Sequence, residues 1–271
     1  MGRIEIKTIE MPYLKNMRKL RIYLPKKYDI DDNLYFPVLY MHDGQNLYFD
    51  EDASYGNSWK VKDTMERLES EGFIDGIIVV GIDSNPKRRL DDYSPWKNSF
   101  EFNDVKRGTL GGDGDKYGEF IVNTLKPYID KEYRTLSGRD YTAVAGSSMG
   151  GMISIYLAIK YPDTFSKIGT FSTSSWFAEE EFLKMIDDSN NTQNQKFFIQ
   201  VGTKEDKDDT ELSQVYVDCS LRLIEMLYKK GVGYRDIKFK IGVEEIHNEI
   251  SWAKYFPEFI KFVFKKDKIE R

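Results

Sequence analysis

The sequence is poor in two residue types that many active sites use, because its 271 residues include one cysteine and two histidines. Because Cys219 is the single cysteine, an intramolecular disulfide is excluded. One cysteine and two histidines also do not show the ligand spacing of a zinc site. No run of about eighteen apolar residues could span a bilayer, and the N-terminus lacks the apolar segment of a signal peptide. We therefore expect a cytoplasmic protein with no bound metal and no membrane partner.

The sequence also has little excess of either charge, since 40 Lys and Arg residues stand against 45 Asp and Glu residues and the formal net charge is −5. The pI is near 5.4. A nucleic-acid surface would need a basic stripe, so we expect no nucleic-acid partner. The glycine-rich segment 111–114 lacks the G-x-G-x-x-G spacing and has no preceding strand, so we expect no dinucleotide and no other cofactor. The oligomeric state does not follow from the sequence.

One short motif indicates chemistry. Residues 146–150 read Gly-Ser-Ser-Met-Gly and lie between an apolar run and a helical run. A G-x-S-x-G sequence in this context is typical of the nucleophile elbow of the α/β-hydrolase fold, although a plain Gly/Ser turn is the alternative. The helix that starts at Met149 would direct its unpaired N–H groups at negative charge developing beside Ser148. The motif therefore predicts Ser148 as a nucleophile.

A serine nucleophile needs a base, which is usually a histidine oriented by a carboxylate. In α/β-hydrolases the chain order is serine, then acid, then histidine. His247 follows the last strand-like run and fits this order, whereas His42 precedes the elbow. We expect His247 to be the base and His42 to brace the turn that contains it.

The acid is expected directly after the strand-like run 196–201. Four carboxylates follow that run: Glu205, Asp206, Asp208 and Asp209. Glu205 is nearest the strand end and should be held best, Asp206 is the second choice, and the other two are more typical of a solvated acidic loop.

Strand-like and helical patterns alternate along the chain. The strands are expected at 3–9, 19–24, 35–41, 76–82, 141–145, 167–171, 196–201 and 236–241, and the helices at 60–71, 116–130, 151–161, 179–187, 211–230 and 251–264. This order predicts an α/β fold with a mostly parallel eight-stranded sheet and helices on both faces, in one domain over residues 1–271. Reactive groups should gather at the carboxyl ends of the strands. The long segment 83–115 is expected to be a lid or substrate loop.

In its motifs the chain resembles the Putative esterase family of α/β-hydrolases, which includes esterase D, feruloyl esterases and enterochelin esterases. It is similar to the bacterial predicted-hydrolase branch of that family. The motifs that carry the resemblance are residues 37–47 (PVLYMHDGQNL), 146–151 (GSSMGG), 202–205 (GTKE), and His247-Asn-Glu with Trp252. The resemblance implies Ser148 as nucleophile, His247 as base and Glu205 as acid. It also implies an oxyanion hole made by the backbone N–H groups of Gln45 and Met149.

The predicted function is a serine carboxylesterase that acts on a small-molecule ester through an acyl-Ser148 intermediate. Acyl transfer to an alcohol and a non-catalytic binding protein of the same fold stay open as alternatives, because fold does not fix function. Tyr93, Trp96 and Trp176 lie on segments expected near the strand ends, and we predict that they contact the substrate. Aromatic residues also fill ordinary cores, which is the alternative for all three.

Overall fold

A computed structural model describes residues 1–102, 105–189 and 194–264 of the chain. One sheet of eight strands forms the centre, in the order β1-β2-β4-β3-β7-β8-β9-β10. These strands are β1 Arg3–Met11, β2 Asn16–Leu24, β3 Val38–His42, β4 Ile78–Ile82, β7 Thr142–Ser147, β8 Lys167–Phe171, β9 Lys196–Gly202 and β10 Ile237–Gly242. β1, β2 and β4 pair antiparallel. From β4 to β10 all neighbours are parallel, which confirms the predicted fold class.

The helices lie between the strands, close to where the sequence predicts them. They are α1 Val61–Ser70, α2 Arg89–Asp92, α3 Gly114–Phe120, α4 Lys126–Glu132, α5 Met149–Lys160, α6 Glu179–Asp188, α7 Thr210–Lys229 and α8 Glu249–Phe264. The helix expected over 116–130 is α3 and α4 joined by a π-helical segment, Ile121–Leu125. The predicted elements have the right type and differ from the structure at their ends and at this π-helical segment, whereas α2 lies in the segment 83–115, where no helix is predicted.

Two apolar clusters cover the two faces of the sheet. In the central strands every residue is buried, because helices lie over both faces. Successive side chains of a strand point to opposite faces, so Tyr40 and Val144 belong to one cluster and Leu39 and Ala143 to the other. This burial fixes the strands, and with them the positions of the loops at their carboxyl ends.

The long segment 83–115 has structure of its own. It contains α2 and an antiparallel hairpin of β5 Lys97–Phe102 and β6 Val105–Gly111. Asp91 on α2 accepts a hydrogen bond from the backbone N–H of Gly111, which ties the helix to the hairpin. The segment therefore presents α2, including Arg89, at the carboxyl end of β4.

Candidate active site

Ser148 lies at a sharp turn between β7 and α5. Its backbone has φ 58° and ψ −126°, a conformation that is strained for a residue with a side chain. A Cβ atom added at Gly146 would lie 2.7 Å from the carbonyl carbon of Gly150. Glycine is therefore required at position 146, and the turn has the geometry of a nucleophile elbow.

Glu205 and His247 meet beside this turn. Glu205 follows β9, His247 follows β10, and Nδ1 of His247 lies 2.7 Å from Oε2 of Glu205. The backbone N–H of His247 also donates to the backbone carbonyl of Glu205, at 3.2 Å. The Glu205 side chain is fully buried, whereas 25% of the His247 side chain is exposed. The carboxylate thus holds one ring nitrogen and leaves Nε2 as the nitrogen available to the cleft.

A serine that the sequence analysis did not single out holds the other oxygen of Glu205. Ser172, in the loop after β8, donates from Oγ to Oε1 of Glu205 at 2.6 Å. The backbone N–H of Gly202 donates to the same oxygen at 2.5 Å. The indole N–H of Trp252 in turn donates to Ser172 Oγ at 2.7 Å. The carboxylate is therefore oriented by three elements of the fold, β8, β9 and α8.

The hydroxyl of Ser148 has a different partner from the expected base. Its Oγ lies 3.0 Å from Oγ of Ser174, and Ser174 Oγ lies 3.1 Å from the hydroxyl of Tyr216. The Tyr216 ring in turn packs on the His247 ring, with centroids 5.1 Å apart. Within the described ranges no hydrogen bond joins Ser148 to His247, although both line the same cleft. A substrate-free site often has this arrangement, because catalytic hydrogen bonds commonly tighten only when substrate binds.

The turn after β3 lies against the elbow. A Cβ atom added at Gly150 would lie 3.3 Å from Cβ of His42, the last residue of β3. Gln45 is in the 3₁₀ turn Gly44–Asn46 that follows. In the part of the chain that the structure describes, the backbone N–H groups of Gln45 and Met149 have no protein acceptor. Both groups are therefore available to a ligand, as an oxyanion hole requires.

An ion pair between Asp43 and Arg89 supports the turn that contains Gln45. Asp43 has a left-handed backbone, with φ 55°, and its two carboxylate oxygens accept hydrogen bonds of 2.9 and 2.8 Å from Arg89. Burial alone would raise the pKa of Asp43, but the charge and hydrogen bonds of Arg89 outweigh it and the pKa is lowered. A charged Asp43 therefore fixes the turn that carries Gln45.

His42 has a structural role in this arrangement. It is buried, and its Nδ1 lies 3.0 Å from the hydroxyl of Tyr117. Burial lowers the pKa of His42 to about 3, so the ring is neutral near pH 7. His42 braces the end of β3, and the sequence order that excluded it as the base agrees with this placement.

A cleft of about 610 Å³ opens above Ser148 and His247. This volume is within the usual range for small-molecule sites. The cleft is lined mainly by polar residues: Asp43, Gln45, Asn46, Ser54, Tyr55, Ser84, Pro86, Arg89, Ser147, Ser148, Lys207, Ile246, His247, Asn248, Glu249 and Trp252. Within this wall the aromatic side chains are those of Tyr55 and Trp252.

The structure corrects two of the three predicted substrate contacts. Tyr93 is fully buried, and its hydroxyl accepts a hydrogen bond from the backbone N–H of Asp43 at 3.1 Å. Trp96 packs edge-on against Tyr156 and Phe182 in the core. Trp176 lies nearer the site, since its ring is 6.1 Å from that of Tyr216, but it is not part of the cleft wall.

Several residues of the site carried no signal that the sequence analysis used for a role. Ser172, Ser174 and Tyr216 are ordinary polar residues in sequence, and only folding brings them to the catalytic groups. Arg89 lies in the segment expected to be a functional loop, and Glu249 lies in the His247-Asn-Glu motif. A search for charged residues within those two regions would have found both.

None of the helices in the described ranges combines the length and apolar character needed to cross a bilayer. In the same ranges, no group of three or more His, Cys, Asp or Glu side chains is arranged to hold a metal ion.

Known proteins share this architecture. The chain is 26% identical to the uncharacterised protein YbbA of Bacillus subtilis (strain 168) over 260 residues, which cover 93% of this chain and 94% of that protein. An IroE-like serine hydrolase from Shewanella oneidensis superposes with a TM-score of 0.76 at 22% identity, covering 97% of this chain and 80% of that one. A ferulic acid esterase superposes with a TM-score of 0.73 at 20% identity, covering 97% and 98%. The model of the Putative esterase family matches residues 12–262, so the chain belongs to that family and is a carboxylic ester hydrolase, as the sequence predicted.

Proposed function

We propose that this ester hydrolase is a serine carboxylesterase that works through an acyl-Ser148 intermediate. The observation that carries the proposal is the 2.7 Å contact between His247 and Glu205 in the same cleft as the strained elbow serine. A nucleophile and a base in one cleft, with a buried acid bound to the base, are the components of a Ser-His-acid triad.

In this mechanism Ser148 turns from Ser174 towards Nε2 of His247 and attacks the carbonyl carbon of the ester. Glu205 holds the neutral His247 ring in the tautomer whose Nε2 can accept a proton. His247 takes the hydroxyl proton, and Glu205 then stabilises the imidazolium. The imidazolium then gives the proton to the alcohol oxygen, and the alcohol leaves. Water, deprotonated by His247, attacks the acyl-serine and releases the carboxylic acid.

The backbone N–H groups of Gln45 and Met149 are the proposed oxyanion hole. Loss of one such donor typically raises the barrier by about 3 kcal/mol. Met149 begins α5, so the positive end of the helix dipole points at the same oxyanion. Gln45 is held by its own side chain, which exchanges two 3.0 Å hydrogen bonds with Ser84.

A fluorophosphonate probe tests the nucleophile. We expect wild type to gain one phosphonyl group on the peptide that contains Ser148, and Ser148→Ala to gain none and to lose ester hydrolysis. Ser147→Ala is the matched control and should still be labelled. Labelling at another serine, or normal turnover by Ser148→Ala, would overturn the proposal.

Acyl transfer is the second candidate, because the same acyl-serine can react with an alcohol in place of water. Hydroxyl and amide side chains among the residues that line the cleft, such as Ser54, Ser84 and Asn248, could bind such an alcohol. Product analysis with added glycerol or methanol would show the ratio of transfer to hydrolysis. A folded protein that binds esters without turnover would instead support the binding-protein alternative.

The remaining assignments are part of the same proposal. The proposed domain is one α/β-hydrolase unit over residues 1–271, of which 103–104, 190–193 and 265–271 lie outside the described residues. In this proposal 83–115 is a substrate loop, and the substrate is a small-molecule ester. The cytoplasmic location stays a prediction from the sequence.

A further inference from the structure

Glu249 is a buried carboxyl group that the mechanism above does not use. It is the first residue of α8 and is 3% exposed, yet it lines the cleft together with Ser148 and His247. A carboxyl group that is almost fully removed from water usually has a cation or several donors beside it. The surroundings of Glu249 therefore show what it is placed to bind.

Asn46 fixes one oxygen of Glu249. The side-chain oxygen of Asn46 accepts the backbone N–H of Ser54 at 2.9 Å, so the amide cannot turn round without losing that bond. Its Nδ2 therefore faces Glu249 and donates to Oε1 at 2.9 Å. Asn46 occupies Oε1, and in the described ranges no other side chain donates to Glu249, so Oε2 can accept a hydrogen bond from a ligand in the cleft.

No arginine or lysine neutralises this carboxyl group directly. In the part of the chain that the structure describes, Glu249 has no salt bridge, and Arg89 is held by Asp43. Burial raises the pKa of Glu249, Asp43 adds to the rise, and the backbone N–H of Glu249 and the charges of His247 and Arg89 oppose it only in part. The group is therefore short of donors in the absence of substrate.

We infer that Glu249, held by Asn46, binds a hydroxyl group on the alcohol half of the substrate, next to the ester oxygen. The inference rests on the proposed function, because His247 must lie against the alcohol oxygen in order to protonate it. Glu249 follows His247 by two residues and shares its wall of the cleft. A hydroxyl on the carbon next to the ester-bearing carbon would then be close to Oε2.

The rest of the cleft favours a neutral alcohol over a cationic one. Arg89 and Lys207 lie in the same wall and would repel an ammonium group. Hydroxyl groups of a substrate can both donate to and accept from the side chains of Ser54, Ser84 and Asn248. The substrate class that fits is a monoester of a polyol, such as glycerol or a sugar.

A matched pair of substrates tests this without knowledge of the natural ester. 2-Hydroxyethyl benzoate and 2-methoxyethyl benzoate share the acyl group and a similar leaving oxygen, but only the first has a hydroxyl to donate. A hydrogen bond to a charged group contributes about 1.5–3 kcal/mol, so wild type should prefer the hydroxyethyl ester at least tenfold in kcat/KM. Glu249→Gln should reduce this preference, measured as the ratio of the two kcat/KM values, to about threefold or less.

Glu245→Gln is the control, because Glu245 lies in the same loop but binds Lys254 outside the cleft wall. It should keep the wild-type preference. A wild type that shows no preference, or a Glu249→Gln variant that slows both esters equally, would overturn the inference. If wild type hydrolyses either ester, the proposed serine esterase activity is supported even when the inferred role of Glu249 fails. If wild type neither hydrolyses the esters nor reacts with the fluorophosphonate probe, the proposed activity and the inference about Glu249 are both wrong.

Asn46→Asp gives a second variant that does not depend on Glu249→Gln folding. It replaces the donor to Oε1 with a second carboxyl group, and a like charge so close raises the pKa of one of the two groups, so Glu249 would no longer be held as a charged acceptor by Asn46. The hydroxyethyl preference should fall in this variant as well. A full preference in Asn46→Asp would contradict the arrangement in which Asn46 orients Glu249.

Discussion

The hydroxyl of Ser172 donates a 2.6 Å hydrogen bond to Oε1 of Glu205, the oxygen that does not contact His247. Ser172 is fully buried and has a left-handed backbone, with φ 48°. Such strain in a residue with a side chain persists only where surrounding contacts enforce it. Here those contacts are the bond to Glu205 and the bond accepted from Trp252. We interpret Ser172 as a positioning residue for the acid.

Two substitutions at Ser172 separate its hydrogen bond from its backbone strain. Both Ser172→Ala and Ser172→Gly remove the hydroxyl and leave the Trp252 N–H without an acceptor, so we expect kcat to fall about tenfold in each, with little change in KM. Glycine tolerates a positive φ, so Ser172→Gly should have the larger free energy of unfolding of the two. Steady-state kinetics and urea unfolding measure these quantities. Wild-type kcat in Ser172→Gly would show that the hydroxyl does not position Glu205.

The choice between Glu205 and Asp206 gives the second prediction. Glu205→Gln removes the negative charge beside His247, and loss of the acid from a triad can lower kcat by as much as about 10⁴-fold. We expect a fall of at least a hundredfold. Asp206 instead accepts the backbone N–H groups of Asp208 and Asp209, and an asparagine oxygen can accept them too. Asp206→Asn should therefore keep kcat within about threefold, and equal effects of the two substitutions would contradict the assignment.

The sequence was sufficient for the fold and for the parts of the site that are set by strand order. β8 was predicted at its observed bounds, and the elbow, the acid loop and His247 follow strands whose apolar runs are easily recognised. Apolar periodicity reports burial, and burial determines where a strand lies. Parallel strands then bring their carboxyl ends together at one edge of the sheet.

The contacts around the catalytic groups could not be predicted in the same way. Tyr93 and Trp96 are expected in the cleft because they are aromatic and lie in a long loop. That loop instead folds into α2 and a hairpin, which buries Tyr93 and packs the half-buried Trp96 against Tyr156 and Phe182. Whether an aromatic ring faces substrate or core depends on the path of the loop. No local pattern gives that path, because it is set by long-range hydrogen bonds such as the one that the backbone N–H of Asp43 donates to the Tyr93 hydroxyl.

Arg89 and Arg88 are neighbours with different partners, which gives a matched pair of variants. Arg89 binds both oxygens of Asp43 below the turn that carries Gln45, whereas Arg88 binds Asp113. Lysine keeps the charge but cannot make the two-pronged contact. We expect Arg89→Lys to lower kcat about tenfold because the Gln45 N–H is held less firmly, and Arg88→Lys to stay within about threefold of wild type. Equal kcat values in the two variants would show that the ion pair does not support the oxyanion turn.

The lowered pKa of His42 predicts that the folded protein loses stability in mild acid. Burial lowers its pKa from 6.5 to about 3 in the folded protein, so between these values the unfolded chain binds a proton that the folded chain does not. The free energy of unfolding therefore decreases as the pH falls, by about 1.4 kcal/mol per pH unit. From neutral pH to pH 5, this residue should remove about 2 kcal/mol.

The non-titrating variant His42→Asn isolates this contribution. Its side-chain amide can hydrogen-bond to Tyr117, and the relevant quantity is the change in its own free energy of unfolding between pH 7.5 and pH 5, whatever its stability at one pH. That change should be smaller than the wild-type change by about 2 kcal/mol, as measured by urea unfolding at the two pH values. The carboxylates that also titrate are the same in both proteins, so they cancel in the comparison. An equal loss of stability in the two proteins would mean that the His42 ring is protonated in the folded state at pH 5, and that it does not brace β3 as a neutral residue.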